Sequence, residues 1–371
     1  MVPPMSIRYA SAVVALLLML AQSVSAQGNV RFRRLSIEDG LSQSTVEAIV
    51  QDQAGFMWFG TEDGLNRYDG YTFTKFKHDP DIPGSISGNN IWCLHVDRDG
   101  YLWIGTFSAG LNRYDPATET FTRFVHDPAD SCSISSNRIR SIAEDEQGDL
   151  WIGTRDGGLN RLRAGSNRFL HMRHDPAATD GLPSDNVRFV YPDSGAVLWI
   201  ATNRGFSRLE VDRGEFTHYQ AGPEGTNTIG SNNVRHLLRD RSGILWVSTA
   251  GGLAQFHPVT KRFVNYVNDP ADPASISADS IRKTYEDRQE RLWISTTNGG
   301  LNLLHRGTNT FTTYRHNQAD PRSLSNNSVR VTFQDDGGIL WIGTIGGGLS
   351  IHDPHTDATD TTGTTRTTRT A

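Results

Sequence analysis

Five arginines stand at one recurring position of the chain, and their side chains suit the binding of an anion. Each follows the first residue of an apolar-alternating segment, at intervals of 47 or 48 residues: Arg140, Arg188, Arg235, Arg282 and Arg330. The same position holds Glu47 and Trp92 in two further copies. Because a guanidinium binds carboxylate or sulfate through two parallel hydrogen bonds, this set predicts a site for an acidic or sulfated sugar. The alternative is that the arginines brace neighbouring loop carbonyls and aspartates.

An aromatic pair accompanies these arginines. Trp92 is the only tryptophan outside a phrase that recurs seven times, and Phe107 lies close to it in the same copy. Aromatic side chains are common in ligand pockets, so the pair is the predicted sugar-stacking surface. Local packing of the two rings against each other is the alternative.

Sequence motifs of enzymes are missing. The sequence contains no Gly-rich phosphate loop, no His-Glu-x-x-His, no Gly-x-Ser-x-Gly and no cysteine spacing typical of a metal site. We therefore expect no catalytic residue, no bound metal and no cofactor, and a binding protein more than an enzyme. The formal charge of -5 gives no reason to expect a nucleic-acid partner.

The cysteines and histidines fit structural roles. Cys93 and Cys132 match no metal-site spacing, and we expect two free thiols, with a disulfide as the alternative. Three histidines recur in loops of the type His-Asp-Pro, at residues 78, 126 and 174. Their recurrence favours capping of a turn over catalysis.

The elements that carry these side chains form a repeat. The phrase Leu-Trp-Ile-Gly-Thr, or a close variant, occurs seven times, with its tryptophans at Trp58, Trp103, Trp151, Trp199, Trp246, Trp293 and Trp341. The spacing is 45 to 48 residues, which is typical of a repeat architecture. An aspartate stands six residues before each tryptophan and predicts a tight turn between two strands.

Each repeat predicts four antiparallel strands, the last marked by an aromatic residue followed three positions later by a large apolar one. Six repeats contain this last strand and the seventh lacks it, whereas Phe32 and Leu35 supply the same pair near the beginning of the chain. The sequence therefore predicts an all-β fold, a seven-bladed β-propeller whose last blade is completed by an N-terminal strand. Such closure removes the open edges of a partial ring.

Both ends of the chain differ from the repeats. Residues 1–26 combine Arg8, an apolar run over 10–20 and a small-residue site ending at Ala26, which predicts a signal peptide; an uncleaved anchor is the alternative. Residues 354–371 form a threonine-rich tail too polar to fold alone. We expect a propeller over 27–353 in a periplasmic or secreted protein.

The repeats also resemble the two-component regulator propeller family. The resemblance covers about residues 30–353 and rests on the aspartate, the Leu-Trp-Ile-Gly-Thr phrase, segments such as Gly110-Leu111-Asn112-Arg113-Tyr114 and the His-Asp-Pro loops. It implies a periplasmic sensor region of histidine kinases, hybrid kinases or diguanylate cyclases, many of them for saccharides. A membrane signalling partner follows from the same resemblance.

The expected function is that of an extracytoplasmic sensor propeller that binds a small molecule or oligosaccharide. Family members typically continue into a second propeller, a transmembrane helix and an output domain, whereas this sequence enters the threonine-rich run, so we expect a sensor without its output domain. A secreted lyase or glycan-active enzyme is one alternative, because streptogramin-type lyases are also seven-bladed. A scaffold for protein partners is the other.

Overall fold

The computed structural model describes residues 30–177, 180–223 and 225–355. Within them, 28 strands form seven four-stranded antiparallel sheets, which confirms the predicted all-β propeller. The helical structure of this part is a short 3-10 turn, Ile37–Asp39, and no helix there is long and apolar enough to cross a bilayer. The predicted signal peptide and the tail from residue 356 lie outside the described residues.

The first strands of the seven blades are the innermost. They are β2 (Val46–Gln51), β6 (Ile91–Val96), β10 (Ile139–Glu144), β14 (Val187–Asp193), β18 (Val234–Arg239), β22 (Ile281–Glu286) and β26 (Val329–Gln334). Each contacts the first strands of both neighbouring blades, and β26 contacts β2, so the ring is closed. Blades are numbered 1 to 7 in this order.

The second strands carry the repeated phrase. They are β3 (Met57–Thr61), β7 (Leu102–Thr106), β11 (Leu150–Thr154), β15 (Val197–Thr202), β19 (Leu245–Thr249), β23 (Leu292–Thr296) and β27 (Leu340–Thr344). Both faces are buried, and the seven tryptophans are at most 4% exposed. A side chain at Gly105 would place its Cβ 2.6 Å from Ile139 Cγ2 of the next blade, which explains the small residue found there.

The third and fourth strands complete the blades. The third strands are β4 (Gly64–Tyr68), β8 (Leu111–Asp115), β12 (Leu159–Leu162), β16 (Gly205–Glu210), β20 (Gly252–His257), β24 (Leu301–His305) and β28 (Leu349–His352). The fourth strands are β5 (Phe73–Phe76), β9 (Thr120–Phe124), β13 (Phe169–Met172), β17 (Glu215–Tyr219), β21 (Arg262–Tyr266), β25 (Thr310–Tyr314) and, in blade 7, β1 (Arg33–Leu35).

The ring closes where β1 pairs with β28. The pairing is antiparallel, with Arg33 opposite Ile351 and Leu35 opposite Leu349. Phe32 and Leu35 are 3% and 6% exposed, so both anchor the strand in the core. The closure by an N-terminal strand, predicted from the missing aromatic pair of the seventh repeat, is confirmed.

Candidate functional site

A β-bulge at the second residue of every first strand builds the site. In blade 3, Ile139 lies opposite Thr154 and Ser141 lies opposite Gly153, so Arg140 is the extra residue. The same one-residue shift occurs in the other six blades. A bulge re-aims the side chain that it carries. We call this residue the bulge position; its occupants are Glu47, Trp92, Arg140, Arg188, Arg235, Arg282 and Arg330.

All seven bulge-position side chains line one cavity of about 220 Å³. We call it the central cavity, because the first strands that form its wall come from every blade of the ring. Seven of the eight residues predicted as ligand-binding therefore meet in one place. The eighth, Phe107, follows β7 and reaches the cavity wall through Trp92, whose ring centroid lies 4.9 Å from its own.

Two of the arginines, Arg188 and Arg235, donate hydrogen bonds to groups of the next blade. Arg188 donates to Asn233 Oδ1. Arg235 Nη1 donates to Ser280 Oγ at 2.8 Å and to the carbonyl of Ile281 at 3.2 Å. These contacts support the bracing alternative for part of each guanidinium, but a guanidinium has five N–H donors, and its acceptors here are neutral.

Arg330 and Arg282 make contacts of two different kinds. Arg330 Nε lies 3.1 Å from Glu47 Oε1, a contact with the distance of an ion pair but without the geometry of a hydrogen bond. Arg282 Nε instead donates to Thr297 Oγ1 of its own blade at 2.8 Å.

Arg140 turns back towards the preceding blade and lies on Trp92. Its Cζ atom is 3.9 Å from the centroid of the indole, a close cation–π contact. Phe107 packs against the same tryptophan, and Arg155 lies 5.9 Å from the Phe107 centroid. These contacts explain Trp92 by local packing. Sugar stacking on Trp92 stays a prediction, and it requires Arg140 to leave this ring face.

Lys283 is a cavity residue that the sequence analysis missed. It is the third residue of β22, directly after Arg282, and lines the central cavity. The third residues of the other first strands include Ala48, Ser141 and Val331, which share no repeated chemistry. A pattern search based on repetition therefore gives no signal for the lysine.

The central cavity carries excess positive charge. Among the described residues that line it, six are basic and one, Glu47, is acidic. Burial and the nearby guanidinium of Arg155 lower the pKa of Arg140 to about 10, and burial with Arg330 lowers the pKa of Arg282 to about 10. Burial likewise lowers the pKa of Lys283 and raises that of Glu47. The folded chain thus holds these charges at an electrostatic cost.

Several donors of the basic side chains lack a protein acceptor in the described residues. Within the described part of the chain, Arg188 Nε is buried and has no hydrogen-bond partner. The guanidinium of Arg140 makes ring contact with Trp92 there and forms no hydrogen bond. A buried polar group without a partner costs free energy, so these donors suit a ligand with acceptor oxygens.

Both cysteines are free thiols, and one buried histidine packs on an aromatic ring. Cys93 and Cys132 are both free thiols, and burial raises the pKa of Cys93 to about 12, so this thiol stays neutral. The imidazole of His236 packs on Phe189, with 4.1 Å between the two ring centroids. In those same residues no group of three His, Cys, Asp or Glu side chains is placed to hold a metal.

The histidines of the His-Asp-Pro loops hold their own loops. In each, Nδ1 lies 2.8 Å from a carbonyl eight residues later: His78 to Ile86, His126 to Ile134 and His174 to Leu182. The structural role predicted from their recurrence is confirmed.

Comparison with known proteins gives one matching family model, described as two-component regulator propeller. It matches residues 40–63, 85–108, 133–156, 228–251 and 323–346. Each stretch runs from the loop before a first strand to just past the repeated phrase, and so includes the bulge position.

Similar proteins come from bacterial signalling systems. A curated protein named histidine kinase P4, from Formosa agariphila, is 47% identical over 75 residues, which is 20% of this chain and 6% of that protein. The extracellular domain of a protein described as a hybrid two-component system from B. thetaiotaomicron is 30% identical, with a TM-score of 0.76. That match covers 87% of this chain and 42% of the solved chain, so the chain spans less than half of either protein.

A lyase shares the fold. Inactive virginiamycin B lyase from Staphylococcus aureus, solved with quinupristin, has a TM-score of 0.63 and covers 87% of this chain and 98% of its own. At 13% identity the likeness concerns the propeller fold alone.

Proposed function

This chain contains two-component regulator propeller repeats in five of its seven blades, and from that premise we propose that it is the ligand-binding propeller of an extracytoplasmic two-component sensor. The similar structure from B. thetaiotaomicron is named as an extracellular domain, and the likeness covers 87% of this chain. The predicted signal peptide over residues 1–26 also supports a location outside the cytoplasm. Its signalling partner is then a kinase or another output protein at the membrane.

The central cavity carries this proposal. The repeated phrase and the strand pattern recur in all seven blades, whereas the bulge position holds arginine, glutamate or tryptophan. Functional groups placed on a regular scaffold have this appearance. Ligand affinity arises where these unlike side chains converge.

The proposed ligand is a saccharide, bound through one sugar unit. The cavity of about 220 Å³ lies below the roughly 300–1,000 Å³ of sites for drug-sized ligands. Several N–H donors and the Trp92 side chain line it, which suits a small ring rich in oxygen acceptors. The family resemblance points to the same ligand class.

A binding screen tests the proposal. The purified full chain is heated with a panel of neutral and acidic mono- and oligosaccharides, and each sugar is then analysed for breakdown. A sensor shows a raised melting temperature with the sugar unchanged; a ligand at 100 times its Kd adds about 2.7 kcal/mol of stability. Breakdown of the sugar would show that the chain is an enzyme and would contradict the sensor proposal. No shift with any sugar would favour the protein-scaffold alternative.

A further inference from the structure

We propose that the sugar unit bound in the central cavity is anionic, and that Arg140, Arg188 and Lys283 bind its carboxylate or sulfate group. The inference rests on the proposed function and narrows its ligand class. It also changes the role of Trp92 from a sugar-stacking ring to a support for Arg140.

The charge of the cavity is the first step. Six basic side chains and one carboxylate line it, and that carboxylate, Glu47, is within ion-pair distance of Arg330. The other hydrogen bonds that the arginines donate end on neutral groups, those of Asn233, Ser280, Ile281 and Thr297. Hydrogen bonds to neutral groups leave the repulsion between the cations in place. An anion inside the ring relieves it.

The second step is the preorganisation of Arg140. Its guanidinium lies against the Trp92 indole, which Phe107 supports from blade 2. The N–H groups of a guanidinium lie along its edges, where they form paired hydrogen bonds with a carboxylate or sulfate. Since the contact with Trp92 already restricts the Arg140 side chain, little side-chain entropy is lost on binding.

The third step is the position of Lys283, which adds a cation from another blade to the cavity wall. In the described residues its ammonium lies within ion-pair distance of no carboxylate, although Glu47, beside Arg330, attracts it electrostatically. Arg140, Arg188 and Lys283 belong to the first strands of blades 3, 4 and 6, and all three line the central cavity. The acidic group is therefore bound between cations from several blades, as a clamp of point charge and planar guanidinium.

The test compares sugars that differ in one group. Isothermal titration of the full chain uses D-galacturonate against D-galactose, and N-acetylglucosamine 6-sulfate against N-acetylglucosamine. We expect at least one acidic member to bind more tightly than its neutral partner by about tenfold or more. Its affinity should fall as salt is raised.

Variants assign the effect to the cavity. Arg140→Gln and Lys283→Met should each weaken binding of the acidic sugar by about tenfold, whereas Arg213→Gln, at an exposed arginine of blade 4, should not change it. Arg140→Lys keeps the charge and loses the paired geometry, so its affinity should lie between wild type and Arg140→Gln. Melting curves of each variant show that it is folded.

The outcomes separate this inference from the proposed function. Equal binding of acidic and neutral partners, or acidic binding that survives both variants, overturns the inference and leaves the sensor proposal in place. If inorganic sulfate binds and none of the sugars does, the anion site is supported and the proposal of a saccharide ligand is overturned. No binding of the four sugars or of sulfate overturns both.

Discussion

The aspartate at the end of each first strand accepts two kinds of hydrogen bond. In blade 2, Asp97 Oδ1 accepts from the backbone N–H groups of Asp99 and Tyr101, at 3.1 and 2.9 Å. Its Oδ2 accepts from the Trp103 indole N–H at 2.7 Å. The same indole bond, at 2.7 to 3.0 Å, recurs in all seven blades. The aspartate thus ties the turn to the buried ring.

Asp97→Asn should therefore destabilise the fold although it keeps the size of the side chain. If its oxygen retains the turn, its amide N–H₂ meets the indole N–H, and two donors face each other. We expect a loss of about 1 to 3 kcal/mol in the free energy of unfolding, measured in urea. Asp99→Asn, at an exposed neighbour, is the control; equal losses for both would contradict the role of the indole bond.

His236 predicts a loss of stability in acid. Burial and the nearby Lys283 hold its pKa well below the ordinary 6.5. Below pH 6.5 the unfolded chain takes up a proton that the folded chain refuses, so this part of the stability falls with pH. Between pH 7.5 and 5.0, His236→Gln should lose less stability than wild type, by up to about 2 kcal/mol.

Urea unfolding at the two pH values measures this difference. His355→Gln removes an exposed histidine beyond the last strand and is the matched control. His95 contributes to the same acid loss in both chains, because burial lowers its pKa as well. A pH dependence unchanged by His236→Gln would show that the ring is protonated within the fold.

Lys283→Met should stabilise the chain in the absence of ligand. The substitution keeps most of the apolar stem and removes a cation from a cavity that already holds five arginines. We expect a gain of about 1 kcal/mol, seen as a raised melting temperature, as for other sites where function costs stability. Lys75→Met, at an exposed position of β5, should change little. A destabilised Lys283→Met would mean that the lysine is a structural group.

At the scale of elements, the closure depends on a clamp at Arg34. Its Nη2 atom donates to the carbonyls of Ser323 and Leu324, each at 3.0 Å, and to that of Asp320 at 3.3 Å. The clamp joins β1 to the loop before β26. It acts beside the backbone pairing of β1 with β28.

Arg34→Met should loosen the closure and lower the free energy of unfolding by about 1 to 3 kcal/mol, because several carbonyls lose a charged donor. Arg33→Met, at the exposed neighbour on the same strand, is the control. Thermal unfolding of both variants measures the effect. Equal stability of the two would show that backbone pairing and the buried Phe32 and Leu35 hold the strand by themselves.

Strands and closure could be predicted from the sequence because their residues repeat. The tryptophan period marks each blade, and the missing fourth strand of the last repeat identified its replacement near Phe32. The bulge position was also visible, since arginine recurs there. These features depend on contacts that every blade makes in the same way.

The contacts inside the cavity could not be predicted, because a long side chain can reach several neighbours and its conformation decides which one it contacts. Arg188 and Arg235 reach the next blade, whereas Arg140 turns back to Trp92. Lys283 has no repeated counterpart. The hydrogen bond between each aspartate and its indole depends on a distance that only the folded hairpin sets. The sequence predicted the bulge-position residues that line the cavity, whereas their contacts and the distribution of charge became visible only in the structure.

At the scale of the whole molecule, the ring brings unlike residues from distant repeats into one charged cavity. A regular scaffold of seven Asp–Trp pairs supports it, and the N-terminal strand keeps it closed. In the proposed function, the scaffold provides stability and the cavity provides recognition. Binding of an acidic sugar in that cavity is the central claim.

A crystal structure of the full chain with D-galacturonate tests this claim most directly. We expect the sugar in the central cavity, with its carboxylate oxygens about 2.7 to 3.2 Å from donors of Arg140, Arg188 and Lys283. An empty cavity with the sugar bound elsewhere, or a sugar in the cavity whose carboxylate faces away from these three side chains, would contradict it.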